Sequence, residues 1–144
     1  MSDANARLAR RWFEEVWNQN KPETVTELLH PNVVGQMEGR VVRSPEEFLQ
    51  AREELLTALP DLRVEVQAVI SEGDEVAVRW AANATGPSGA VSFRGVSWVV
   101  FENGRIVKGW DAWNQGLLMQ QLGVSVDAPS DLPRLGRAKS ANRD

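Results

Sequence analysis

Val91-Ser92-Phe93-Arg94-Gly95-Val96-Ser97-Trp98-Val99-Val100-Phe101-Glu102-Asn103-Gly104-Arg105-Ile106-Val107-Lys108-Gly109-Trp110-Asp111-Ala112-Trp113 decides the fold. At its middle, Asn103-Gly104 is the strongest short hairpin signal available, because both residues tolerate the positive φ that such a turn requires. Both flanks are rich in β-branched and aromatic residues, which suit strands. Val91 to Phe101 and Arg105 to Trp113 therefore read as two long antiparallel strands. If the pairing stays regular out from the turn, Asp111 lies opposite Val96.

Working towards the N-terminus, Glu75 to Asn83 reads as another strand, and Thr85 to Gly89 as a turn carrying Gly86, Pro87 and Gly89. Before it, Leu62, Val64, Val66, Ala68 and Ile70 alternate with Arg63, Glu65 and Gln67, the two-residue period of a strand. Ser71-Glu72-Gly73-Asp74 turns the chain between them. Upstream the period becomes helical. Ser44-Pro45-Glu46-Glu47 starts a helix with a capping serine, a proline at the first turn and a capping-box glutamate. Phe48, Leu55, Leu56 and Leu59 form its buried face. Val33 to Met37 reads as a short strand closed by Gly39. A first helix spans Asp3 to Asn18, with Leu8, Trp12, Phe13, Val16 and Trp17 on one stripe. A short second helix carries Val25, Leu28 and Leu29 and ends at His30-Pro31, where a cation complements the helix dipole.

Beyond the hairpin, Leu117 to Leu122 forms a closing helix ended by Gly123. Val124 to Asp144 reads as a C-terminal tail. Helices followed by a strand meander imply an α+β class: a cone-shaped, curved antiparallel sheet with the N-terminal helices on its concave face, enclosing a pocket. One domain is expected over residues 1–123.

Composition removes several functions. The 144 residues contain no cysteine, no tyrosine and a single histidine, so thiol catalysis and a zinc site of histidines and cysteines are excluded. A net charge of −4 without a basic patch argues against nucleic acid. No apolar run is long enough for a membrane helix, and Met1 to Asn5 lacks the order of a signal peptide. A cytoplasmic location is the default expectation. Six tryptophans, against this scarcity, suggest aromatic walls.

Four stretches, in this order, resemble the SnoaL-like polyketide cyclase family of the nuclear-transport-factor-2-like superfold. They are Trp12-Phe13-Glu14-Glu15-Val16-Trp17-Asn18-Gln19, Leu59 to Val64, Glu72 to Trp80, and Asn103 to Asp111 followed by Leu117 to Gly123. The resemblance implies ring closure of a polyketide by intramolecular aldol chemistry, with an aspartate near the end of the last strand as acid/base. It implies no metal and no organic cofactor. It also implies pairing of subunits through the outer sheet face, and apolar residues on both sides of Val96 to Phe101 fit a homodimer. The family's usual aspartate falls on Asn114, an amide, and Gln36 stands where many relatives carry histidine.

Asp111 is the candidate acid/base, since a carboxylate among tryptophans is desolvated. Trp17, Met37, Trp98 and Trp110 are candidate walls for a flat apolar substrate. Gln36, Arg79 and Asn114 are candidate polar contacts, with capping of the closing helix as the other reading of Asn114. Asn83 is a weaker candidate of the same kind. Two rival functions stand beside the cyclase. One is epoxide opening, with Arg79 beside Asp111. The other is a binding domain without chemistry, in which amides and hydroxyls replace any buried carboxylate.

Overall fold

The computed structural model describes residues 2–37 and 39–123. The expected tail from Val124 onward lies outside them. Chain order is α1 (Ser2–Trp12), a π-helical turn (Phe13–Asn18), α2 (Pro22–Leu28), β1 (Leu29–Met37), β2 (Arg40–Val42), α3 (Pro45–Ala58), β3 (Arg63–Glu72), β4 (Glu75–Gly86), β5 (Gly89–Glu102), β6 (Arg105–Trp113) and α4 (Gln115–Gln121). The fold is α+β. Six strands form one curved, unclosed sheet in the order β2-β1-β6-β5-β4-β3. No helix among the described residues is long and apolar enough to cross a membrane.

The turns form for the reasons the residues give. Asn103 and Gly104 have φ of 52° and 80°, as the β5–β6 hairpin requires. Ser44 Oγ accepts from Glu47 N at 3.1 Å, and Glu47 Oε1 accepts from Arg43 N at 2.8 Å, so both ends of the cap are satisfied.

Four features depart from the sequence reading. The sheet is not wholly antiparallel, because β1 runs parallel to β6. That pairing joins strands about 75 residues apart, and local patterns carry no information about it. The first helix does not run regularly to Asn18, because its last turn widens into a π-turn. There Arg52 of α3, 1% exposed, donates through Nε to Val16 O at 3.1 Å and is also bonded to Asn20. A buried guanidinium thus satisfies a carbonyl of the irregular turn, where an unpaired one would cost about 1–3 kcal/mol. Third, α2 stops at Leu28, so His30 is the second residue of β1, and its Nδ1 accepts from Asn32 N at 3.0 Å.

The fourth departure is the phase of two strands. In β3, Val66 pairs with Trp80 and Ala68 with Arg79, leaving Gln67 as an extra residue. The bulge turns Ile70 outward, where it is 71% exposed, and brings Val69 against the core in its place. In β6, Phe101 pairs with Ile106 but Val100 pairs with Lys108, so Val107 is the extra residue. Asp111 therefore lies opposite Ser97, not Val96.

α1, the π-turn and α3 cover the concave face. Their Trp12, Phe13, Val16 and Phe48 share one apolar core with Val64, Val78, Trp80, Phe93 and Ile106 of the sheet. Burying such side chains contributes roughly 1.5–3 kcal/mol each.

Candidate functional site

Between helices and sheet lies a cavity of about 90 Å³. Trp12 of α1, Phe13 and Trp17 of the π-turn, and Phe48 and Leu55 of α3 roof it. Trp12 and Trp17 both pack on Phe48, with ring centroids 5.1 and 6.0 Å apart. At the other end, Trp80, Phe93 and Trp113 meet edge to face at 5.9 to 6.4 Å. These rings fix the cavity's shape, because offset and edge-on aromatic pairs resist sliding.

Asp111 is the one ionisable side chain among the residues lining this cavity. It sits on β6 between the cavity-lining Gly109 and Trp113, each two residues away on the same face. Its cross-strand partner Ser97 is 4% exposed, and the Ser97 hydroxyl interacts with the carboxylate. Ser97 Oγ in turn accepts from Trp80 Nε1 at 3.0 Å. With its oxygen so engaged, the serine presents its own proton to Asp111. Burial pushes the Asp111 pKa up to about 6, against the smaller downward pull of Ser97. Around neutrality the group is mostly a carboxylate, yet it takes up a proton at little cost.

The bulge at Val107 decides this placement. Ile106 is buried and lines the cavity. A regular strand would carry Lys108 and Trp110 inward with it and put Asp111 outside. One inserted residue reverses the phase, so Gly109, Asp111 and Trp113 face in.

Of the residues expected from sequence, Asp111, Trp17 and Met37 line the cavity. Gln36, Arg79, Trp98 and Trp110 do not. They lie on the outer face, because their neighbours Met37, Val78, Trp80, Val99 and Asp111 face in and successive side chains alternate. Neither Gln36 with Met37 nor Trp110 with Asp111 can line the same cavity in a regular strand. Asn114 is exposed, and its Oδ1 accepts from Leu117 N at 3.0 Å, so it caps α4. Asn83 is exposed on β4. Ser97, Trp80 and the paired Gly35 and Gly109 were not singled out. Only the register, which the bulge sets, reveals that Ser97 and Asp111 are opposed.

Arg79 lies at the register position of Ala68 and Val96 on the outer face, away from Asp111. Epoxide opening by a carboxylate and this arginine thus loses its second component. The described residues also contain no cluster of three or more acidic or histidine side chains that could hold a metal ion.

The model of the SnoaL-like polyketide cyclases matches residues 7–122. Among solved structures, AclR, a candidate hydroxylase from Streptomyces galilaeus, is 28% identical, with a TM-score of 0.77 over 90% of this chain and 91% of its own. IdmH, a candidate polyketide cyclase from Streptomyces antibioticus, is 24% identical, with a TM-score of 0.75 over 83% of this chain and 99% of its own. A SnoaL-like candidate cyclase from Jannaschia sp. CCS1 is 20% identical, with a TM-score of 0.78 over 86% and 94%. No curated protein matches the chain.

Proposed function

The chain belongs to the SnoaL-like polyketide cyclase family, and from that premise we propose that it closes a ring of a small, largely apolar polyketide, with Asp111 as the acid/base. The observation that carries this reading is one carboxylate, its pKa near 6, in a cavity whose other walls are apolar and aromatic apart from Ser97. Proton transfer accounts for a half-buried carboxylate among aromatic rings, where desolvation disfavours its charged form.

The chemistry is simple. A hydrogen on carbon between two carbonyl groups is already acidic, so one placed carboxylate suffices to remove it. The Asp111 carboxylate takes the proton and becomes the acid. The resulting carbanion adds to a ketone of the same molecule, forming the carbon–carbon bond. The Asp111 acid then returns its proton to the alkoxide. Ser97 holds the carboxylate throughout, and the aromatic walls fold the chain so that carbanion and ketone meet. The resemblance calls for no metal and no organic cofactor in these steps.

The test uses a β-polyketone ester with one ring left open. Asp111→Asn keeps the shape and removes the base, so turnover should fall on the order of 10²-fold or more while binding persists. An unchanged rate would sink the assignment. Lack of turnover by the wild type would favour a binding domain.

A second reading is favoured by the 28% identity with AclR. It sends the same carbanion to dioxygen, forming a carbon–oxygen bond and a peroxide anion that takes the proton back from Asp111, so that the product is a hydroperoxide. Oxygen uptake during turnover distinguishes it from ring closure, which consumes none.

A further inference from the structure

Two strand glycines remain without a folding explanation. Gly35 of β1 and Gly109 of β6 are register partners, and both line the cavity. Val42 and Val99 extend the same row onto β2 and β5. Glycine inside a strand weakens it, so its presence asks for a cause in backbone conformation, crowding or close approach of another molecule.

The first two causes are absent. Neither Gly35 nor Gly109 has a positive φ. A methyl group on Gly35 would meet only Val42, at 3.9 Å, and one on Gly109 would find Val99 Cγ1 at 3.4 Å, both ordinary contacts. Gly95 shows what a packing requirement looks like. A methyl there would run into the Ala112 carbonyl, with Trp80 at 2.8 Å and Trp113 at 2.9 Å.

The bulge at Val107 does not account for them either, since both glycines pair in regular register with their neighbours, and the remaining cause is a ligand. We propose that Gly35 and Gly109 form a bare-backbone seat for one flat, enolisable ring of the substrate, laid against the sheet beside Asp111. The two residues are thereby specificity-determining. Side chains at either position would lift the ring from the sheet and from the carboxylate two residues along β6. The enolisable character of the ring rests on the acid/base reading above, whereas the flat seat rests on the glycines alone.

The probe is 1,3-dihydroxynaphthalene, a planar tautomer of a cyclic 1,3-diketone, with binding read by calorimetry. Gly109→Ala and Gly35→Ala should each retain the wild-type melting midpoint or raise it. Each should also lower affinity about tenfold or more, the range for one misplaced carbon in an apolar site. Undiminished affinity in the variants overturns the seat. So does their unfolding, which would reveal a packing role, and so does absence of binding by the wild type. These readouts are independent of turnover. A failed seat leaves the Asp111 rate test standing, and a failed rate test leaves the seat to be judged on affinity.

Discussion

Asp111 carries two pH signatures that follow from one cause. Burial raises its pKa to about 6. The base form appears above that value, so kcat/KM should rise with pH through about 6 and then level off. Stability runs the other way. Between the ordinary carboxylate value near 4 and the folded value near 6, the native state holds a proton that the unfolded chain has released. The stabilising contribution is therefore complete below about pH 4 and is lost as pH rises through about 6. Asp111→Asn should remove this dependence, making the variant more stable than wild type by roughly 2 kcal/mol above pH 7 relative to the difference at pH 4. Urea unfolding at the two pH values, read as the difference between the proteins, cancels the other carboxylates. An identical pH profile for both would mean that Asp111 is solvated in solution. The sequence marked this residue through its apolar neighbours, but Ser97 stayed hidden, because a serine in a strand has no distinguishing signature until its partner is known.

At the scale of elements, irregularities place the site. The bulges at Gln67 and Val107 each insert one residue and invert the faces of everything beyond. The π-turn brings Trp17 to the cavity, while Arg52 satisfies its backbone. Gly95 of β5 lets its register partners, Trp80 of β4 and Trp113 of β6, meet across it, 6.2 Å between centroids. Gly95→Ala would press a methyl group on the Ala112 carbonyl, which cannot swing aside as a side chain can. Thermal unfolding should show a loss of about 1–3 kcal/mol, the usual range for overpacking. A neutral result would mean that the strands separate there without strain.

At the scale of the whole molecule, the outer face of the sheet is the surface that the homodimer expected from the resemblance would cover. Val41, Gln36, Trp110, Trp98, Ala77 and Ile70 form one register row across all six strands. Trp98, Trp110 and Ile70 in that row are 48%, 42% and 71% exposed. The run from Trp110 through Trp98 and Ala77 to Ile70 is apolar, and exposed tryptophans side by side are unusual on a monomer. Gln36, Trp98 and Trp110, expected as substrate contacts, would take an assembly role in that homodimer. Light scattering should report twice the monomer mass of 16.0 kDa. Trp98→Glu with Trp110→Glu should give a folded monomer, since both side chains already face out. A monomeric wild type, or a double variant that stays dimeric, would place the contact elsewhere.

The sequence by itself determined what short stretches of chain can determine. Periodicity gave the helices and the four-strand meander, Asn103-Gly104 the hairpin, Ser44 to Glu47 the cap, and the absent cysteines and lone histidine the chemistry to discard. These follow from local backbone geometry, which each segment carries with it. Only the tertiary structure decided which side of each strand faces the cavity, that β1 lies parallel to β6, and that Arg52 is buried. The physical reason is the two-residue period of a strand. A single bulged residue changes no local pattern, yet it exchanges inside for outside along the rest of the strand. In β6 that exchange is the difference between Asp111 within the cavity and Asp111 in water.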